Sequence, residues 1–257
     1  MRFIAQFLQR LDYLYRAKNE HSVHSPFIFD LYTNIIKDRK AYYTFSNIES
    51  MRSKLLLDNS IIQVTDYGTG ISNSRKVANI AARSLKPPKT AELLFRLANH
   101  FKPKHMLELG TSLGITSAYL ASVSPNSQLT TLEGCPEIAR LAQETFDTLK
   151  LSNVKLTIGA FESTLDQALS ASPQLDFVFI DGNHQKDPTI QYFEACLKKA
   201  NEKSIILLDD IHWSANMQEA WEEIKNHPRV SLSIDLFEIG IILLDPKLQK
   251  QAYVLRL

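Results

Sequence analysis

From residue 104 onward, short apolar runs alternate with segments that have the periodicity of helices. The predicted strands cover residues 105–110, 128–133, 154–158, 175–181 and 204–209. The helices that follow them are predicted to begin near Ile115, Pro136, Ser163, Asp187 and Ala215. Strands that alternate with helices predict a parallel sheet covered by helices on both faces. Residues 205–208 are continuously apolar, as a central strand buried on both sides would be.

The end of the chain has a different pattern. Residues 230–236 alternate apolar and polar positions, which is typical of a half-exposed edge strand. Residues 239–244 are apolar again and follow after a tight connection, so we expect them to pair antiparallel with residues 230–236. The whole pattern predicts an α/β fold with a doubly wound, mostly parallel sheet of seven strands.

Residues 1–83 form a separate, mainly helical extension or lid in this interpretation, and residues 84–257 form the main domain. One face of the first helix is apolar and comprises Phe3, Ile4, Phe7, Leu8, Leu11, Leu14 and Tyr15. Basic residues flank this face, namely Arg2, Arg10, Arg16 and Lys18. We expect the apolar face to dock on the rest of the protein, since amphipathic helices usually face a core. A helix on a membrane surface is the alternative.

A second helix is predicted from Pro26 to about Lys37, with Ser25 as its N-cap. Residues 61–70 look like a strand that ends in the pattern Asp-x-Gly-x-Gly. A nucleotide-binding loop of this kind requires a second strand soon afterwards, but residues 73–85 and 90–101 are both predicted to be helical. We therefore interpret residues 66–70 as a β-turn or a lid loop beside the site.

The composition is that of an ordinary globular chain, with 257 residues of which 44% are hydrophobic and 22% charged. A net charge of +1 argues against a nucleic-acid partner held mainly by phosphate contacts. Cys135 and Cys196 are far apart and form no CxxC motif, so we expect reduced thiols and a cytoplasmic protein. No apolar run approaches the ~20 residues of a membrane span.

Candidate chemistry begins with the segment LELGTSLGIT at residues 107–116, a strand followed by a glycine-rich turn and a helix. Gly110 can adopt a positive φ, and Gly114 lets the helix begin close to the strand, so backbone N–H groups stay open to a ligand. Glu133 ends the next strand, about 25 residues after Glu108, where an acid accepts hydrogen bonds from ribose hydroxyls. A solvated carboxylate before a turn is the alternative for Glu133.

Three further acids end adjacent strands, Asp181 after the fourth strand and Asp209 and Asp210 after the fifth. Converging carboxylates without a basic partner suit a hard divalent cation such as Mg²⁺, which would lower the pKa of an acceptor hydroxyl. In the alternative interpretation Asp210 caps the next helix and Asp181 alone contacts a ligand. His184 is a candidate general base, with a ligand-orienting or capping role equally open.

Residues 84–244 resemble a class I S-adenosylmethionine (SAM)-dependent methyltransferase of the catechol and caffeoyl-CoA O-methyltransferase type, and the segment Ile-Asp-Gly-Asn-His resembles a bacterial branch. The resemblance implies an enzyme that transfers a methyl group from SAM. It implies that Glu108, Gly110, Ser112 and Thr116 line the methionine end of the cofactor, with Gly114 in the same turn. It places Glu133 on the ribose, Ala160 and Phe161 near the adenine, and Asp181, Asp209 and Asp210 at a metal position.

Three other functions also match parts of the sequence. Residues 110–114 match G-x-S-x-G, so one alternative is an α/β-hydrolase with Ser112 as nucleophile and Asp209 and His227 as its candidate partners. That fold has several strands before its nucleophile. A dehydrogenase would also place an acid after the second strand, but it would have the G-x-G-x-x-G spacing. A methyltransferase-like domain that binds without turnover is the third alternative.

The function expected from the sequence is methyl transfer from SAM to a hydroxyl of a small-molecule acceptor, assisted by Mg²⁺ or another divalent cation. The N-terminal helices would cover the acceptor pocket or form a homodimer contact. His212, Trp213 and Phe161 are candidate pocket walls. The identity of the acceptor, and the choice between oxygen and nitrogen, stay open at this stage.

Overall fold

A computed structural model of the chain describes residues 2–65 and 72–257, with side chains over residues 9–65 and 73–257. The predicted turn or lid loop at residues 66–70 lies outside these residues. The helices are α1 Arg2–Arg16, α2 Pro26–Leu31, α3 Tyr43–Leu57, α4 Val77–Ser84, α5 Pro88–Phe101, α6 Ile115–Ala121, α7 Pro136–Thr148, α8 Phe161–Ala171, α9 Lys186–Leu197 and α10 Ala215–Asn226. The strands are β1 Ile61–Thr65, β2 Ser72–Lys76, β3 His105–Leu109, β4 Gln128–Glu133, β5 Val154–Ile158, β6 Leu175–Ile180, β7 Ala200–Asp209, β8 Leu232–Asp235, β9 Ile239–Leu243 and β10 Gln251–Val254.

The chain divides into two compact units, one made of Met1–Asp38 and Pro173–Leu257 and the other of Arg39–Ser172. The structure has one mostly parallel sheet of eight strands, β3 to β10. Because eight strands are present, the predicted number of seven is wrong. The extra strand is β10, a segment of four residues that pairs in parallel with β8. The boundary between an extension and a main domain at residue 83 stays a prediction.

In the second unit, β3, β4 and β5 lie side by side in parallel, as predicted. Several helices of this unit begin at positions where the sequence favours initiation. Proline is the first residue of both α5 and α7, where its missing N–H costs no hydrogen bond. The parallel register brings the carboxyl ends of the three strands to one edge of the sheet, and the loops that follow them lie there.

The N-terminal part of the second unit packs on the helices of the sheet. Phe45 and Ile48 of α3 lie in one hydrophobic cluster with Leu113, Ile115 and residues of α5 and α7. The strands β1 and β2 form a separate antiparallel pair. The prediction of a helix from residue 73 is therefore wrong for residues 73–76, which belong to β2. Their side chains are polar and exposed, so no apolar alternation marks them as a strand.

In the first unit, β6 and β7 are parallel, and β9 is antiparallel to both β7 and β8, which confirms the predicted hairpin. The prediction of a half-exposed edge strand at residues 230–236 is wrong, because every residue of β8 is buried. β10 occupies the edge beside β8 instead. The buried hydroxyl of Ser231 donates a hydrogen bond to the backbone oxygen of Leu243, which compensates for its removal from water.

The N-terminal helices of the first unit begin and end largely as predicted. Ser25 accepts a hydrogen bond from the backbone N–H of Ile28, and Pro26 is the first residue of α2. A π-helical segment, Tyr32–Ile36, continues α2 to Lys37. Both cysteines are buried free thiols. Over the described residues, no helix combines the length and the apolar character needed to cross a membrane.

Candidate active site

The turn between β3 and α6 holds its backbone in conformations that favour glycine. Gly110 has a φ of 101° and Gly114 a φ of 81°. A Cβ on Gly114 would lie 2.8 Å from the ring of Phe146, so a larger residue has no room there. The N–H groups of Gly110 and Thr111 both donate to the backbone oxygen of Leu132, which ties the turn to β4. The turn is therefore rigidly placed at the edge of the sheet.

Glu108 lies beneath this turn and is fully buried. Its Oε2 accepts a hydrogen bond from the hydroxyl of Thr131 at 2.7 Å and another from the hydroxyl of Ser117. The hydroxyl of Thr131 also lies 2.6 Å from that of Thr111. These contacts join β3 and β4 to the first turns of α6, so the carboxylate of Glu108 stabilises the base of the loop.

Glu133, the last residue of β4, points its carboxylate into the same loop region. Its Oε2 accepts a hydrogen bond from the backbone N–H of Ser112 at 2.8 Å, and its Oε1 accepts one from the backbone N–H of Cys135 at 2.9 Å. Burial raises the pKa of the Glu133 carboxyl, while the N–H groups of Cys135, Ser112 and Gly134 act in the opposite direction. A carboxylate has about four acceptor positions, so these bonds leave room for ligand hydroxyls.

The loop after β5 carries the predicted residue Ala160, and the predicted residue Phe161 begins α8 directly after it. The N–H of Gly159 donates to the backbone oxygen of Glu133, and Gly159 has a φ of 142°. Ala160 is the N-cap of α8, and its backbone oxygen accepts hydrogen bonds from the hydroxyls of Ser163 and Thr164. The loops after β3, β4 and β5 are thus connected to one another through hydrogen bonds within the second unit.

Ser84 is a residue of this region that the sequence interpretation missed. It ends α4, and its Oγ lies 2.7 Å from the Oγ of Ser112. Its own hydroxyl also lies within hydrogen-bond distance of the backbone oxygen of Ile80, at 2.9 Å. No motif points to Ser84, because it lies 28 residues before Ser112 in a separate helix.

In the first unit, three of the predicted side chains converge. One ligand atom each of Asp181, His184 and Asp209 lies within 4.8 Å of the other two. His184 Nε2 is 3.8 Å from Asp181 Oδ1 and 4.0 Å from Asp210 Oδ2. Asp209 is buried, whereas the other three are partly exposed. Oxygen and imidazole ligands of this kind suit a divalent cation, and Asp210 reaches the cluster beside His184.

The loops that carry these side chains are strained. Asn183, His184 and Asp210 have φ values of 66°, 32° and 53°, in the left-handed region that costs energy for residues other than glycine. The amide of Asn183 donates a hydrogen bond to the hydroxyl of Tyr192 and so stabilises its loop. Backbone strain of this kind concentrates at functional sites.

The candidate pocket walls differ from one another. His212 Nε2 lies 2.8 Å from Asp235 Oδ2, and its ring stacks on Phe237 with a centroid distance of 5.2 Å. His212 is thus held within the packing of the first unit. Trp213 is 45% exposed, so its ring is accessible from solvent.

The hydrolase alternative finds little support in the contacts of its residues. His227 Nε2 lies 3.3 Å from a carboxylate oxygen of Glu194, and its Nδ1 accepts the backbone N–H of Arg229. Ser112 Oγ lies against Ser84. In addition, β3 is the first strand of the described part of the large sheet, since β1 and β2 form their own pair.

Comparison with known proteins finds similar sequences and similar folds. The family described as a methyltransferase domain matches residues 107–211, which contain the predicted donor and acidic residues from Glu108 to Asp210. A catechol O-methyltransferase of Niastella koreensis is 33% identical to this chain over 144 residues, which make up 54% of this chain and 63% of that protein. The chain thus matches less than two thirds of the length of this relative.

Solved structures give a similar result over a longer part of the chain. The O-methyltransferase from Bacillus cereus in complex with SAH has a TM-score of 0.58 at 19% identity, covering 83% of this chain and 96% of that one. The O-methyltransferase TomG from Streptomyces achromogenes in complex with SAM has a TM-score of 0.58 at 17% identity, covering 84% and 96%. The chain therefore has the fold of these O-methyltransferase structures, and its residues 107–211 match the methyltransferase domain family.

Proposed function

We propose that this chain transfers a methyl group from SAM to a hydroxyl oxygen of a small-molecule acceptor, with the help of a divalent cation. The geometry of Glu133 carries the proposal. Its carboxylate is fixed by two backbone N–H groups at the end of β4, beside the glycine turn after β3. In a sheet of this fold, an acid at this position is suited to accept hydrogen bonds from the two hydroxyls of a ribose.

The residues around Glu133 fit a SAM molecule. Gly110 and Gly159 have positive φ values and no side chain, so the backbone of both loops is open to a close ligand. In this proposal the residues at the methionine end are Glu108, Gly110, Ser112, Gly114 and Thr116. Ala160 and Phe161 would lie near the adenine. SAM, when bound, supplies an electrophilic methyl group on a sulfonium.

The acidic cluster fits a divalent cation by the chemistry of its side chains. Asp181, Asp209 and Asp210 would supply the oxygen ligands that Mg²⁺ prefers. Such a cation, when bound, would lower the pKa of an acceptor hydroxyl. His184 Nε2 would accept the proton that the hydroxyl loses, since imidazole is an effective base near neutral pH. Asp181, 3.8 Å from that nitrogen, would stabilise the resulting imidazolium.

The relatives support the oxygen acceptor. The similar proteins named above are described as O-methyltransferases, one of them acting on catechol. We propose that residues 84–257 form the catalytic domain and that residues 1–83 contribute to the choice of acceptor. We also propose that the protein is cytoplasmic, because both of its cysteines are free thiols.

Calorimetric titration of the purified chain with SAM and, separately, with NAD tests the donor. We expect binding of SAM and none of NAD, and the reverse result would contradict the proposal.

Ser112→Ala combined with an assay on activated esters tests the hydrolase. Loss of ester hydrolysis in that variant would favour the hydrolase over the methyltransferase.

Titration with Mn²⁺ tests the cation independently of any acceptor. We expect Asp209→Ala to abolish Mn²⁺ binding and Asp210→Ala to weaken it, since each removes a carboxylate ligand. Asp187→Asn is the matched control, because Asp187 is an exposed acid at the start of α9. If Asp209→Ala and Asp210→Ala leave both binding and turnover unchanged, the cation is not part of the reaction.

A further inference from the structure

We propose that α1 binds the surface of an anionic lipid membrane through its outward apolar face. The helix attaches to the first unit by the side that carries Tyr13. Among the described side chains of α1, Tyr13 is the buried one. Its hydroxyl donates a hydrogen bond of 2.6 Å to the backbone oxygen of Leu255, and its ring lies 5.1 Å from that of Phe237.

The apolar stripe of α1 points in another direction. At about 100° per residue, Leu11, Leu14 and Tyr15 fall within an arc of about 100° whose centre lies roughly 150° from Tyr13. Their exposed fractions are 48%, 39% and 91%. The prediction that this face docks on the rest of the protein is therefore wrong for these three residues. The helix presents them to solvent while its more polar side makes the contact.

The sequence continues the same stripe towards the start of the helix, because Phe3, Ile4, Phe7 and Leu8 recur at the spacing of one helical face. The described end of the stripe is exposed, and an exposed apolar stripe is typical of a helix that lies in the plane of a membrane interface. Tyr15 adds an aromatic ring with a polar hydroxyl, a combination that suits the boundary between lipid chains and headgroups.

Charge favours lipid over a second copy of the chain. Lys18 lies just after α1 and is exposed. Arg10 lies over the ring of Phe237, whereas Arg16 pairs with Asp12 at 2.7 Å. Arg256 also contacts the helix, because its guanidinium donates to the backbone oxygen of Leu14. Two copies of α1 face to face would bring these positive groups together. Anionic headgroups would instead compensate them, and each basic group near such a surface adds to the attraction.

Sedimentation of the full chain with lipid vesicles tests the proposal. Vesicles of phosphatidylcholine are compared with vesicles that contain about 30% phosphatidylserine, at low and high salt. We expect binding to the anionic vesicles, weakened by salt. The variant Leu11→Gln/Leu14→Gln should reduce that binding at least about tenfold, because it removes apolar area from the inserted face.

The control variant is Leu57→Gln, since Leu57 is 78% exposed at the end of α3 and should leave vesicle binding unchanged. A lack of binding, or equal binding to both kinds of vesicle, would overturn the proposal. Light scattering without lipid supplies a second measurement. A dimer that dissociates in the Leu11→Gln/Leu14→Gln variant would show that a second copy covers the face. A large fall in the Tm of that variant would show that the face packs on its own chain.

Discussion

The hydroxyl oxygens of Ser84 and Ser112 lie 2.7 Å apart and join the end of α4 to the loop between β3 and α6. A serine has one proton to donate. The backbone oxygen of Ile80, 2.9 Å from Ser84 Oγ, is an acceptor, so the proton of Ser84 is donated to it. Ser84 Oγ therefore accepts the proton of Ser112. The lone pairs of Ser112 Oγ are then left for a ligand donor, such as the ammonium group of a methionine.

The first prediction concerns Ser84→Ala. The hydroxyl of Ser112 loses its fixed orientation in this variant, and we expect the Kd for S-adenosylhomocysteine to rise about 2- to 10-fold, the value of one hydrogen bond. The Kd for an analogue without the amino group should not change. Calorimetry on both ligands measures the difference. Ser53→Ala is the control, because Ser53 donates to the backbone oxygen of Glu49 in an exposed part of α3. An equal loss of affinity in Ser84→Ala and Ser53→Ala would contradict the assignment of the Ser112 proton to Ser84.

A second prediction concerns the pH dependence of donor binding. Burial raises the pKa of Glu133 above the ordinary value of about 4.3, so its carboxylate takes up a proton at a higher pH than a free glutamate. The protonated group is the weaker acceptor for ribose hydroxyls. Affinity for S-adenosylhomocysteine should therefore fall as the pH drops through the raised pKa. The stability of the unliganded fold should instead rise as the pH drops through this pKa, because protonation removes the cost of a buried charge.

Glu133→Gln separates this effect from general acid sensitivity. We expect the Kd of the variant at pH 7 to be about 10- to 100-fold higher, since hydrogen bonds to a charged acceptor are lost. Its affinity should also become independent of pH in the same range. Glu137→Gln is a suitable control, because Glu137 lies in the first turn of α7 with a side chain that is 47% exposed. A wild-type affinity that stays constant down to pH 4 would refute the role of Glu133.

The ends of the parallel strands and the initiation of α6, α7 and α10 follow from local patterns, namely buried apolar runs, glycines and capping residues. Polar strands have no such pattern. β2 is exposed and β10 is short, and each is defined by its partner strand rather than by its own sequence. Ser231 and Ser233 produced an alternation that resembled an edge strand, although both side chains are buried and the edge position belongs to β10. Periodicity also does not show which side of α1 contacts the protein.

The same distinction applies to the candidate site. The acids Glu133, Asp181 and Asp209 could be named from the sequence, since each one ends a strand or directly follows it. The left-handed loop at His184 and the contact of Ser84 depend on tertiary packing, and no spacing rule contains them. The position of Glu108 could be predicted from the sequence. Its hydrogen bonds could not, because the hydroxyl groups that donate them come from β4 and α6.

A third prediction separates two roles for His184. Mg²⁺ and Mn²⁺ prefer oxygen ligands, so we expect His184 to act as the base rather than as a ligand. His184→Ala should lower kcat about 10²- to 10⁴-fold, the usual contribution of general base catalysis, and change the Kd for Mn²⁺ less than about 3-fold. His21→Ala, in an exposed turn of the same unit, is the control. If His184→Ala loses Mn²⁺ binding as Asp209→Ala does, the histidine is a ligand.

The last prediction concerns the stability of the turn before α6. In Gly114→Ala, the new methyl group would meet the ring of Phe146 at 2.8 Å and would force alanine into a φ of 81°. The left-handed backbone costs about 1–2 kcal/mol and overpacking about 1–3 kcal/mol, so the free energy of unfolding should fall by roughly 2–5 kcal/mol.

Urea denaturation of Gly114→Ala, Phe146→Leu and the double variant measures both parts. Because a smaller residue at position 146 relieves the contact but not the strained backbone, the double variant should be more stable than the sum of the single effects predicts, by about 1–2 kcal/mol. Additive effects would mean that the ring of Phe146 moves aside freely, and an unchanged stability of Gly114→Ala would mean that the turn does not hold the positive φ.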